Sequence, residues 1–145
     1  MNYYLKVLRN YAVFSGRARR SEYWYFVLFN FIFSIVAAII DHLIGTDFTL
    51  NTVNGPFVLP YGYIYLLYAL FIIIPSLAVG VRRLHDVGKS GWFMFISLIP
   101  IVGAIWLLVL FFTDSVPGAN EYGLNPKGIG NHDEIDELGS YLQKQ

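Results

Sequence analysis

Two runs of ionisable side chains dominate the chain: Arg17-Ala18-Arg19-Arg20-Ser21-Glu22 and Arg82-Arg83-Leu84-His85-Asp86-Val87-Gly88-Lys89. Arginine binds phosphate and carboxylate in two-pronged fashion, and a histidine beside an aspartate suggests a base with an orienting acid. Three chemistries therefore compete for Arg17, Arg19, Arg20, Glu22, Arg82, Arg83, His85, Asp86 and Lys89. They could attract anionic lipid headgroups or a partner protein, at about 1 kcal/mol per basic residue near a charged bilayer. They could pair with one another, with Glu22 and Asp86 holding arginines. They could form a catalytic site, although neighbouring side chains on a helix point about 100° apart and His85-Asp86 is no ready dyad.

Other chemistry is poorly supplied. There is no cysteine, which removes disulfides, thiolate metal sites and cysteine nucleophiles. His42 and His132 lack partners at metal-ligand spacing. No phosphate-binding loop, dinucleotide glycine pattern or nucleophile elbow occurs. No metal or cofactor is expected, and an enzymatic role is not.

The elements that hold these residues must be membrane helices. Apolar residues make up 56% of the 145 residues, charged ones 14% and aromatics 18%, against roughly a quarter charged in soluble domains. Spans are expected at about 23–44, 61–81 and 92–112, each close to the length that crosses a core of roughly 30 Å. Tyr23, Trp24, Tyr25, Tyr61, Tyr63, Trp92 and Phe93 crowd their ends, where aromatic rings favour the headgroup level. Ahead of the spans, Tyr4, Leu8 and Tyr11 recur at helical spacing, with Lys6, Arg9 and Asn10 opposite. That pattern predicts a short amphipathic helix over 2–14, lying in the membrane interface or packed on protein. Gly16 breaks it, and Ser21 is the expected N-cap of the first span. Residues 45–60, including Asn54-Gly55-Pro56, read as a loop. The Arg82–Gly91 run reads as a short polar connection.

Within the spans, Asn30, Ser34, Ala37 and Asp41 share one face, as do Ala69, Ser76 and Gly80, and Ser97, Pro100 and Ala104. Small and polar residues serve helix packing in membranes, so Asn30, Ser34, Asp41, Ser76, Gly80 and Pro100 are candidate packing positions. A polar path is the sharper alternative.

Five of the ten Lys and Arg precede the first span, three follow the second, and the first loop has none. The positive-inside rule makes the basic face cytoplasmic. Three spans then place the C-terminus on the periplasmic side, unless Ile99-Pro100-Ile101-Val102-Gly103 bends the third segment back on itself. Basic residues this close to the bilayer are not expected to bind nucleic acid.

Phe14-Ser15-Gly16-Arg17-Ala18-Arg19-Arg20-Ser21-Glu22-Tyr23-Trp24 resembles the F-x-G-R-x-x-R-x-E-[FY]-W opening of domain-of-unknown-function family 805, small bacterial inner-membrane proteins of the YhaH type. Arg82 to Trp92 is similar to its RRLHD-x-G-x-SGW segment, and Pro117 to Gly123 to its closing G-x-N-x-[YF]-G. The likeness covers about residues 1–128, and the acidic extension after Lys127 departs from it. It implies a bacterial cytoplasmic-membrane location and no particular activity.

The sequence therefore reads as an all-α membrane protein: three transmembrane helices behind an interfacial amphipathic helix in a membrane domain over 1–128, then an acidic tail over 129–145 expected to be flexible. Its expected role is non-enzymatic, a basic cytoplasmic face that binds anionic headgroups or a membrane-protein partner. A subunit of an oligomeric transporter or channel is the alternative, and would need a homo-oligomer to enclose a path.

Overall fold

A computed structural model describes residues 2–52 and 55–131. Helix α1 spans Asn2–Arg9, α2 Arg20–Ile44, and α3 Tyr63–Asp86. Strands β1 (Asp47–Thr52) and β2 (Gly55–Gly62) join α2 to α3. A 3-10 helix, Gly91–Leu98, and α4, Val102–Phe112, follow.

Helices α2 and α3, of 25 and 24 residues, are each about 36 Å long at 1.5 Å per residue, enough to cross a bilayer core. They run antiparallel. The amide of Ala18, just ahead of α2, donates to the Arg82 carbonyl near the end of α3 (3.0 Å). At the other end, the carboxylate of Asp41 meets the first turn of α3. Outward faces of both helices are apolar and exposed, among them Leu28, Phe31 and Ile39 on α2 and Leu67, Leu70 and Ile73 on α3. Such a surface is solvated by lipid tails rather than by water.

The link between them is a hairpin, not the loop expected from its turn residues. Its strands pair antiparallel, Thr49 opposite Val58 and Leu50 opposite Phe57. These β-branched and large apolar residues suit a pleated ribbon; Val53 and Asn54 lie outside the described residues. The chain is thus mostly helical rather than all-α.

Asp41 is fully buried and caps α3 from another helix. Its oxygens accept from the amides of Gly62 (3.1 Å), Ile64 (3.0 Å) and Tyr65 (2.8 Å), and from the Thr46 hydroxyl (2.6 Å). The first amides of a helix have no partner within it, and a carboxylate there also meets the positive end of the helix dipole. Gly62 is required at this junction: a Cβ would stand 2.8 Å from the Asp41 carboxyl carbon and collide with the Thr46 carbonyl.

The third expected span is the main correction. Residues 92–112 do not form one helix. They break at Ile99–Ile101 into the 3-10 helix and α4, whose 11 residues cover only about 16 Å. Pro100 disfavours helical backbone at the residue before it, and Ile99 is extended (φ −81°, ψ 111°). Ile101 sits at φ 64°, the centre of a γ-turn closed by the Val102 amide on the Pro100 carbonyl (2.7 Å), a strained conformation for a β-branched residue. Gly103 can pass the Ile96 carbonyl there because it has no Cβ to clash with it. The chain reverses, and the Phe111 carbonyl at the end of α4 accepts from Trp24 Nε1 (3.3 Å) near the start of α2. Residues 113–131 accordingly lie at the same end of the bundle as the two basic runs, where a third full span would have put them at the other. The acidic run Asp133–Glu137 and His132 lie outside the described residues.

Three smaller expectations also change. The Arg82-to-Asp86 part of the polar connection is the last turn of α3. Arg19, not Ser21, occupies the N-cap of α2, with no side-chain capping bond. The N-terminal helix ends at Arg9, and its apolar side is occupied by protein: Tyr4 and Val7 are buried, and Tyr4 lies against Phe26, Phe29 and Phe33 with ring centroids 5.5, 5.7 and 5.3 Å away. Leu8 is half-buried beside them.

Because the chain has no native cysteine, single cysteines report sidedness directly. Cysteines at Ser15 and Ile129 should label from one side of the membrane and one at Leu50 from the other. Labelling of Ile129→Cys from the side of Leu50→Cys would restore a third full span. At the hairpin end, Asp41→Ala should lower the thermal midpoint in detergent by more than Thr46→Val, since it leaves three amides unpaired; equal effects would mean that the cap is dispensable.

Candidate functional site: a buried arginine–carboxylate cluster

Two carboxylates organise the basic end. Glu22, in the first turn of α2, is fully buried. It accepts from Arg82 Nη1 (2.8 Å) at one oxygen and from Lys6 Nζ (2.6 Å) at the other, tying α1, α2 and α3 together. Asp86, at the end of α3, is also fully buried. Its Oδ1 accepts from Arg17 Nε (3.0 Å), and its Oδ2 from Arg83 Nη1 and from the Ser115 hydroxyl (2.6 Å).

The arginines hold more groups than the carboxylates do. Arg17 donates from Nη1 to the carbonyls of Gly118 (2.8 Å) and Gly123 (3.2 Å), and from Nη2 to that of Val116 (2.6 Å). Arg83 donates to the carbonyls of Phe111 (3.3 Å), Ala18 (3.4 Å) and Thr113. Arg19 Nε donates to the Pro126 carbonyl (2.7 Å), and Arg20 to the Phe112 carbonyl (3.2 Å) and Asp114 (3.3 Å). Arg83, Arg20 and Trp24 thereby satisfy carbonyls at the C-terminus of α4, which no helical amide can reach. Cationic groups are also favoured there by the helix dipole.

This arrangement orders a segment that has no regular structure of its own. The Val116 amide donates to the Asp86 carbonyl (3.0 Å), Asn120 Nδ2 to the His85 carbonyl (2.9 Å) and Asn125 Nδ2 to the Val116 carbonyl (2.8 Å). Further out, Lys127 and the Ser115 amide hold the Asp114 carboxyl below the usual carboxylate range. The stability from that exposed contact is present above the ordinary carboxylate pKa and is lost as pH falls through the depressed value.

His85 and Asp86 do not meet as a dyad. His85 Nδ1 bonds the Gly16 carbonyl (3.1 Å), and its ring stacks on Tyr122 at 3.8 Å and 2°, while Asp86 turns to the arginines. Lys89 is exposed, 5.7 Å above the Phe93 ring. Of the candidate packing residues, Asn30 accepts from the Tyr68 hydroxyl (2.7 Å), and Ser76 bonds the Ile72 carbonyl of its own helix (2.7 Å). Gly80 leaves room for Met94, Ser34 is half-buried, Pro100 sits in the break, and Asp41 is a helix cap. Lys6, Asp114, Ser115, Asn120, Tyr122 and Asn125 belong to the cluster without having been singled out among its candidates. Asn120 and Tyr122 lie in the closing motif, which was the available signal. Among the described residues no three His, Asp or Glu gather to hold a metal ion.

The family described as a protein of unknown function (DUF805) matches residues 11–124. The chain belongs to this family. The matched region contains both arginine-bearing motifs and ends just beyond Gly123. The chain is 40% identical over 129 residues to inner membrane protein YhaH of Escherichia coli K12, covering 88% of this chain and 98% of the relative. It is 41% identical over 127 residues to inner membrane protein YhaI of the same strain, covering 88% and 97%. No solved structure matches. As a DUF805 protein with two long apolar helices, the chain is a small membrane protein of unassigned role.

The cluster's geometry sets an order of effects. Asp86→Asn removes the counter-charge of two buried guanidiniums and should cost about 3 kcal/mol, since breaking a buried pair strands its partner. Glu22→Gln should cost somewhat less, about 2–3 kcal/mol, because it strands one buried guanidinium, Arg82, while Lys6 is half exposed and can rehydrate. Lys89→Gln should leave thermal stability in detergent unchanged. Wild-type stability in Asp86→Asn would show that the buried ion pairs do not hold the fold.

Proposed function

We propose that this DUF805 chain is a non-enzymatic inner-membrane protein that presents a rigid cytoplasmic surface to anionic lipid headgroups. The observation that carries this reading is the exposure of Arg9 and Lys89 on a frame whose segment 113–131 is itself fixed in place. An irregular segment loses conformational entropy when it is ordered, and here buried Arg17 and half-buried Arg19 hold its carbonyls at one end of the bundle. A surface ordered before it meets a ligand binds without that ordering cost.

The positive-inside rule supports a cytoplasmic side for this end, and the inner-membrane names of the relatives support the membrane. Most basic residues of the cluster are committed internally, so headgroup attraction falls to the exposed cations Arg9 and Lys89. The exposed Trp92 ring suits the headgroup level. Transport is less well supported, because Asn30 and Asp41, the polar residues that would mark a path, are engaged in bonds within the chain.

The test is native mass spectrometry from nanodiscs of mixed phosphatidylglycerol and phosphatidylcholine. Arg9→Gln with Lys89→Gln should reduce retained phosphatidylglycerol roughly tenfold or more, at about 1 kcal/mol per cation, with no change in thermal midpoint. Unchanged retention would defeat the headgroup reading, and a retained protein instead of lipid would point to a partner.

A further inference from the structure

Beside the cluster lies a cavity of about 440 Å³ whose walls include His85, Phe14, Ser90, Gly91, Trp92 and Phe95. Its size falls within the usual range for small-molecule sites, roughly 300–1,000 Å³. The polar group it contains is unusually well defined. Because the Gly16 carbonyl can only accept, the His85 Nδ1 at 3.1 Å from it carries a hydrogen. In the neutral ring, Nε2 is then a bare acceptor. Stacking on Tyr122 fixes the ring plane, and the residue is only 9% exposed. Nε2 points towards the cavity wall at Gly91: a Cβ built on that glycine would stand 3.5 Å from it. Among the described residues Nε2 has no hydrogen-bond partner. The unpaired nitrogen is therefore open to a donor that enters the space lined by these aromatic rings.

We propose that this cavity binds a ring-hydroxyl amphiphile of the quinol class, its hydroxyl donating to His85 Nε2 and its ring lying among Phe14, Trp92 and Phe95. The chemistry matches on three counts. The protein supplies an acceptor, so the ligand must bring a donor. The walls are aromatic, which favours a planar ring in offset or edge contact over a hydrated glycerophosphate. The cavity is at the end of α3 where the apolar surface gives way to the basic cluster, and Trp92 is 77% exposed on its rim, so an apolar tail can leave along the lipid-facing surface. The proposal concerns binding alone and uses neither Arg9 nor Lys89, so it stands independently of headgroup attraction.

The test compares a short-chain quinol with its quinone, measured anaerobically against the full-length protein in phosphatidylcholine nanodiscs. The quinone has the same ring and tail but no hydroxyl. The quinol is expected to bind roughly tenfold more tightly, the worth of one hydrogen bond, and His85→Phe, which keeps a ring on Tyr122, should abolish the difference. Trp92→Ala should weaken both ligands while leaving the thermal midpoint unchanged, because so exposed a ring contributes little to the fold; this variant keeps the test valid if His85→Phe does not fold. Equal affinities for quinol and quinone, unaltered binding by Trp92→Ala, or displacement of the quinol by phosphatidylglycerol at equal mole fraction would each overturn the proposal.

Discussion

A carboxylate with no access to water sets the terms for this molecule. Asp86 is fully buried at the end of α3, and an isolated charge there would cost several kcal/mol. It is tolerable only with Arg17 and Arg83 in place. Those guanidiniums bring more donors than Asp86 can accept, so the surplus must find carbonyls. The carbonyls come from Ala18, from the end of α4 and from residues 113–123. One buried negative charge thereby draws together the segment before α2, the last turn of α3, and the chain that follows α4. None of these partners can leave without stranding another.

The same logic governs the opposite end of the bundle with the polarity reversed. At the hairpin, Asp41 meets the unpaired amides that open α3. At the basic end, Arg83, Arg20 and Trp24 meet the unpaired carbonyls that close α4. In water such helix termini can be hydrated, but next to lipid they need partners from the protein. Side chains borrowed from neighbouring helices supply them, which couples each helix end to its neighbour's position.

This arrangement bears on how a DUF805 protein could act. Residues spent on internal pairing are poorly placed to recruit ligands, so the basic motifs are better understood as a frame than as a binding patch. What the frame leaves available is its periphery: a pair of exposed cations, a rim of aromatic rings, and one histidine nitrogen turned away from the arginines towards a cavity. His85 shows how the frame shapes that periphery, since the Gly16 carbonyl engages one of its nitrogens and Tyr122 fixes the plane of its ring.

The sequence by itself determined the membrane character, the two long spans and the placement of both basic motifs at one end of them, but left open whether those motifs pair with each other or with a ligand. Hydrophobicity acts residue by residue along a helix, so an uninterrupted apolar run is legible without knowing its neighbours. It also contained the sign of a break at Pro100, but local composition could not decide whether the third apolar run crosses or returns. That depends on whether the end of α4 finds partners beside Arg83 and Trp24. Tertiary structure alone decided that Asp41 is a cap rather than a packing residue, that Tyr4 and Val7 face protein, and that Arg17 holds Gly118 and Gly123. Hydrogen bonds reach about 3 Å, and these partners lie far apart in sequence; only the closed fold brings such donors and acceptors within that distance.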